Sequence, residues 1–281
     1  MKDQQTTAAT VLFWAGHRYA EIKSGITSAY ARWTFKSYSL TMRLNMPGID
    51  VTYDFRRDAC RKDPDRYSPT LRRYHRHLWS KPLPCRTLFT LSDVEPGAYL
   101  YHRSTLGNFS LSSDSIVPTY TRWKKLKHIV SAYPEAENEA FRAIGYTIGG
   151  MMIFPANRVD GKNTINVMRG LTRQVADRFD LTLECIRRHY IGSPSPLGET
   201  LSRYATFFSL FKDFRGYVDF FLLKDLVSDD YSSVNFFMLF DNFTTPSVPT
   251  NNKEYEDYRR CSIEFVHARN RRIAHAGLCD A

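Results

Sequence analysis

Apolar positions first recur at helical spacing after residue 68. Leu71, Tyr74, Leu78 and Trp79 form one stripe between arginines and histidines. Ser68 followed by Pro69 supplies the start, because a serine oxygen accepts free amide hydrogens and proline fits the first helical turn. The pattern predicts a helix over 70–79 that stops before Pro82 and Pro84. Over 98–116 the period changes to two: Tyr99 and Tyr101 alternate with Leu100 and His102, and Phe109 and Leu111 stand between serines. Thr105-Leu106-Gly107-Asn108 carries a turn, so this stretch predicts a β-hairpin.

Beyond it the pattern predicts a basic helix over 122–133, an acidic helix over 135–144 and a short buried strand over 147–154 ending at Pro155. A polar loop over 156–170 follows. Helices are expected over 171–190, 197–211 and 215–227, with 192–196 as the break between the first two. An apolar run over 234–240 predicts a strand buried on both faces, and residues 253–276 a long terminal helix. The fold class expected is α+β, mostly helical, with one small, largely antiparallel sheet. Residues 1–48 read as an N-terminal helical extension and residues 49–281 as a single α+β domain, its basic part 49–133 and its helical part 134–281.

Charge sharpens that division. The formal net charge of the 281 residues is +10. Residues 1–48 carry +4, residues 49–133 carry +7 and residues 134–281 carry −1. A basic front half on a neutral back half suits an anionic partner, with nucleic acid the commonest kind and anionic lipid or acidic protein behind it. The five cysteines are widely spaced without C-x-x-C, against a disulfide scaffold or zinc ribbon and in keeping with a cytoplasmic setting. No apolar run reaches the roughly 18 residues of a membrane span, so no membrane partner is expected.

Two basic clusters are candidates for phosphate contacts. In the first, Arg72, Arg73, His75 and Arg76 lie beside Tyr74 and Trp79, rings suited to stacking on bases. The second holds Lys124, Lys125 and Lys127 around Trp123 and Leu126. Both also fit ordinary amphipathic helices with solvated arginines and lysines. The polar loop adds Arg158, Lys162 and Arg169 just ahead of a helix. Asp177, Asp180 and Glu184 fall on one helical face with Arg173, Arg187 and Arg188 a turn away, a spacing that favours structural ion pairs over acid–base work. No P-loop, dinucleotide fingerprint, nucleophile elbow or metal-ligand spacing occurs, so neither a cofactor nor a metal is expected.

Several long runs resemble an uncharacterised bacterial family, a domain of unknown function. They are YSPTLRRYH from Tyr67, LWSKPLP from Leu78, FRAIGYTIGG from Phe141, LTLECIRRHY from Leu181 and FRGYVDFFLL from Phe214. The resemblance covers roughly residues 50 to 273 and implies no mechanism. Near the end of the chain, Arg269-Asn270 followed by His275 has the form R-N-x4-H, which resembles the signature of the HEPN ribonucleases. That resemblance implies a helical bundle whose Arg and His line a cleft at a homodimer interface and cleave RNA without metal, in toxin or antiviral defence systems. Arg269 would then stabilise the phosphorane, His275 would act as general acid or base, and Asn270 would orient.

Three functions are therefore carried forward. The leading one is nucleic-acid contact, to RNA or DNA, through the basic front half. The second is the metal-independent endoribonuclease centred on Arg269 and His275. The third is a protein-interaction module using the aromatic-rich helices around Tyr204 to Phe211 and Tyr217 to Leu223. Whether the chain is an enzyme stays open.

Overall fold

The computed structural model describes residues 49–95 and 97–276. The expected extension over 1–48 lies outside these.

Helix α1 (Pro64–Tyr67) leads directly into α2 (Pro69–Trp79). Ser68 between them works as the pattern requires: its Oγ accepts the Leu71 amide at 3.1 Å while donating to Asp58 Oδ1 at 2.6 Å. Leu71, Tyr74, Leu78 and Trp79 are buried. A two-stranded sheet follows, β1 (Lys81–Pro82) antiparallel to β2 (Leu88–Phe89). The expected hairpin is β3 (Leu100–Ser104) and β4 (Gly107–Ser115), with His102 opposite Phe109 and Leu100 opposite Leu111. Short helix α3 (Lys127–Val130) and the acidic helix α4 (Glu135–Gly145) lead into β5 (Met151–Pro155), which pairs antiparallel with β4. The strand order is β3-β4-β5, so β4 is central. All five residues of β5 are buried, as its apolar run demands.

The remaining helices are α5 (Ile165–Leu171), α6 (Phe179–Tyr190), α7 (Gly198–Ser202), α8 (Ala205–Ser209), α9 (Phe214–Phe220) and α10 (Asn252–Ala276). Helix α10 packs on α4 and on the 3-10 turn Ile148–Gly150 just ahead of β5. The class is α+β and mostly helical, with two small antiparallel sheets where one was expected.

The departures have local causes. The helix expected over 171–190 begins only at Phe179, because Ala176 and Asp177 take left-handed backbone (φ 47° and 65°). The helix expected over 215–227 stops at Phe220, with Leu222 left-handed (φ 55°). The basic stretch 122–133 holds a 3-10 turn Lys124–Leu126 and only the single turn α3. Residues 234–240 form no strand. Val234 makes one isolated bridge to Val227, and the Phe237 amide donates to Asp180 Oδ2 at 2.9 Å instead of to a ladder.

The aromatic wealth goes inward. Phe207, Phe208, Phe211, Tyr217, Phe220 and Phe221 are buried with ring centroids about 5 to 6 Å apart. The helices expected to offer an aromatic docking face therefore supply the core. Among the described residues, no helix is long and apolar enough to cross a membrane.

Candidate nucleic-acid interface

The R-N-x4-H residues do not converge. Arg269 on α10 is fully buried, and its guanidinium is spent on backbone. Nη1 donates to Gly149 O at 3.0 Å and Met151 O at 2.7 Å, while Nε and Nη2 donate to Phe221 O at 3.2 and 3.0 Å. Phe221 closes α9, so that carbonyl sits at the negative end of a helix. Burial pushes Arg269 down to about 9, which leaves it a cation at neutral pH. Asn270 points its Oδ1 at the Gly149 amide (2.7 Å) and its Nδ2 at Thr147 Oγ1 (2.9 Å). His275 is exposed, in the last turn of α10. Arg269 and Asn270 lock α10 onto the turn before β5, and the spacing that suggested a catalytic pair separates an interior arginine from a solvated histidine.

Two of the expected phosphate ligands are also interior. His75 is fully buried; its Nδ1 accepts from Trp79 Nε1 at 2.9 Å, so Nε2 carries the proton and donates to Ser113 Oγ at 3.0 Å. That tautomer cannot take a proton from Ser113, which removes a serine–histidine nucleophile at this contact. Burial pushes His75 down to about 3. Arg169 is likewise fully buried. It donates to Asp114 Oδ2 at 2.6 Å, Asp177 O at 2.9 Å and Thr182 Oγ1 at 3.0 Å. Neither side chain reaches solvent, so neither contacts a polyanion.

Around Arg169 the fold assembles something the sequence did not announce. Asp65 of α1, Asp114 of β4 and Asp177 meet there. The Asp65 and Asp114 carboxyls are close enough to perturb one another. Asp65 also accepts the Ser115 amide at 3.2 Å. Loss of hydration, reinforced by Asp63, pushes Asp65 up to about 7. Burial likewise raises Asp114 and Asp177 against the pull of Arg169. No spacing could have found Asp65 and Asp114, since they come from different elements far apart in the chain. Glu184 behaves as the spacing suggests, in ion pairs with Arg187 and Arg188, whereas Asp180 pairs with Arg178, which is not among the arginines the spacing singles out. Among the described residues, no group of three or more carboxylates, histidines and cysteines could hold a metal ion.

The remaining basic candidates divide by partner. Arg76 is paired with Asp93, Arg72 donates to Tyr99 O at 3.1 Å, and Lys162 pairs with Glu199 at 2.9 Å. Arg73 and Arg158 are exposed, Arg73 lying over the Tyr74 ring. The segment 122–127 gathers more exposed cations in one place. Arg122, Trp123, Lys124, Lys125 and Lys127 are all exposed, and among the described residues none of the four cations has a carboxylate at ion-pair distance.

The segment is held from beneath. Leu126, Ile129 and Val130 are buried, and α10 pins the approach to it: Tyr255 OH donates to Thr119 O at 3.0 Å and Tyr258 OH to Pro118 O at 2.7 Å. Tyr120, buried with left-handed backbone (φ 58°), packs against Trp123 with centroids 5.2 Å apart and planes at 80°. The apolar side chains of the segment thus go to the core and the cations to solvent.

A family model described as a family of unknown function, DUF6994, matches residues 49–273. No curated protein and no solved structure matches the chain. These matches do not extend to the HEPN ribonucleases.

Proposed function

We propose a function for this chain, which belongs to the family of unknown function DUF6994: it binds nucleic acid, with the segment Arg122 to Lys127 as the principal contact. The observation that carries this reading is the set of four exposed cations, without ion-pair partners among the described residues, around an exposed tryptophan. Cations without carboxylate partners are free to replace the counterions of a phosphate backbone, the main source of affinity in such complexes. Nucleic acid is favoured over an anionic bilayer because Leu126, Ile129 and Val130 are committed to the core, leaving no continuous apolar face to enter lipid.

The reading is tested by titrating the full chain against labelled RNA and DNA oligonucleotides between 50 and 200 mM salt. Four phosphate contacts give a log–log slope of about −3 on a single strand. Undetectable binding to both polymers at the lowest salt would remove the proposal.

A further inference from the structure

Resting on that reading, we infer that the Arg122–Lys127 segment selects single-stranded nucleic acid over duplex, with the Trp123 indole stacking on an unpaired base. Two observations point the same way.

The first is the placement of Trp123. It is 36% exposed in the midst of Arg122, Lys124 and Lys125. Its orientation is nevertheless set. Tyr120 meets it edge-to-face from the core side, Tyr120 packs in turn on Tyr258 of α10 at 5.3 Å, and the Trp123 amide donates to Tyr120 O at 3.0 Å. A ring held at fixed tilt among cations is a stacking platform, and it orders little on binding. Bases expose their faces only when unpaired. In a duplex they are covered by their neighbours, and only edges show in the grooves.

The second is what the segment lacks. Reading the major groove takes an exposed helix or a two-stranded ribbon long enough to enter it. The only α-helix here is Lys127–Val130, and Ile129 and Val130 are buried. Lys124–Leu126 is a 3-10 turn. Such a segment can follow a flexible phosphate chain and stack a base, but it has no face to insert in a groove. Nothing in it distinguishes a ribose from a deoxyribose, so RNA and DNA single strands share the chemistry and are separate arms of the test.

The test is fluorescence anisotropy at one fixed low salt, with oligo-U, oligo-dT, a duplex of equal length and an abasic single strand of equal charge. The full chain, Trp123→Ala, Trp123→Phe and Lys124→Gln/Lys125→Gln/Lys127→Gln are compared, each first checked for unchanged thermal unfolding. Single strands should bind at least about tenfold tighter than duplex. Trp123→Ala should weaken single-strand binding by about 5- to 150-fold, and Trp123→Phe by less. The abasic strand should bind the full chain about as weakly as Trp123→Ala binds oligo-U, a readout independent of any variant's folding. Equal affinity for duplex, or an abasic strand bound as tightly as oligo-U, overturns the inference. If the triple-Gln variant still loses binding in that case, nucleic-acid binding stands and only the stacking role falls. If no polymer binds at all, the underlying reading fails.

Discussion

Asn270 and Gly149, 121 positions apart, are joined by a 2.7 Å hydrogen bond from the Gly149 amide to Asn270 Oδ1. The contact is close enough to exclude any other residue at 149. A Cβ there would lie 2.6 Å from Val266 O and 2.7 Å from Asn270 Oδ1. One neighbour is helix backbone, which cannot swing away. Gly149→Ala should therefore push α10 off the turn and destabilise the protein by about 2 kcal/mol or more, as overpacking does in rigid interiors. Asn270→Ala, which orphans the same amide and leaves Thr147 Oγ1 only its bond to Ile144 O, without adding bulk, should cost about 1–3 kcal/mol. Urea midpoints with unchanged m-values measure both.

Arg269 extends the same clamp. It satisfies three carbonyls from two chain regions, those of Gly149, Met151 and Phe221. A lysine would bring a point charge without the planar fork, leaving carbonyls unpaired in the interior. Arg269→Lys should cost about 3 kcal/mol or more. His275→Ala, at an exposed helix end, should change stability by no more than about 0.5 kcal/mol. Equal effects of the two substitutions on the unfolding midpoint would contradict the placement of these side chains.

How much of this was legible depends on the range of each interaction. Ser68-Pro69 and the Leu71/Tyr74/Leu78/Trp79 stripe announce α2 because capping and amphipathicity are local. The hairpin at Gly107 is legible for the same reason. The helix expected over 171–190 shows where local reasoning ends: its apolar period runs on through Val175 and Ala176, but Asp177 turns left-handed and its carbonyl accepts from Arg169. The roles of His75 and Arg169 were illegible because a basic side chain reads as solvated unless its buried partners are known; Arg269 falls on the stripe of Tyr255, Tyr258, Ser262 and Phe265, so its burial was legible but its carbonyl partners in distant segments were not. For Lys124, Lys125 and Lys127 the solvent exposure was legible, the local backbone was not: a 3-10 turn and one short helix stand where a longer helix was expected.

Asp65 and His75 should act on the stability curve with opposite signs. Folded Asp65 holds its proton to about pH 7, against 3.8 for the free group. Between those values the native state binds the extra proton, so this contribution declines as pH rises from about 4 to about 7. His75 acts oppositely. It stays neutral in the fold down to about 3 while the free imidazole takes a proton near 6.5, so acidification from 6.5 costs stability. Over about pH 4–6.5 the two slopes have opposite signs, and Asp114 and Asp177, also raised by burial, add to the Asp65 side. Asp65→Asn, which keeps an acceptor for the Ser115 amide, removes the first, eases the Asp65 pressure that raises Asp114, and leaves His75 unchanged. That variant should be as stable as the native chain or more so at pH 7.5, and should lose stability on acidification more steeply by up to about 1.4 kcal/mol per pH unit. Parallel curves of unfolding free energy at pH 4.5, 5.5, 6.5 and 7.5 would show that Asp65 is not held protonated.

The two basic clusters of the front half should separate in their dependence on salt. Counterion release counts only cations free to take a phosphate, and each contact on a single strand contributes about 0.7 to the slope. Arg76 already has Asp93, and Arg72 has the Tyr99 carbonyl. Recruiting either one means breaking an existing bond. Lys124, Lys125 and Lys127 have no such partner among the described residues. Replacing these three by glutamine should therefore lower the magnitude of the slope by about 2, whereas Arg76→Gln should change it by less than about 0.5. The comparison is internal to one protein and one oligonucleotide, so it does not depend on absolute affinity. A larger change for Arg76→Gln than for the triple variant would move the contact surface from the segment before α3 to the exposed side of α2.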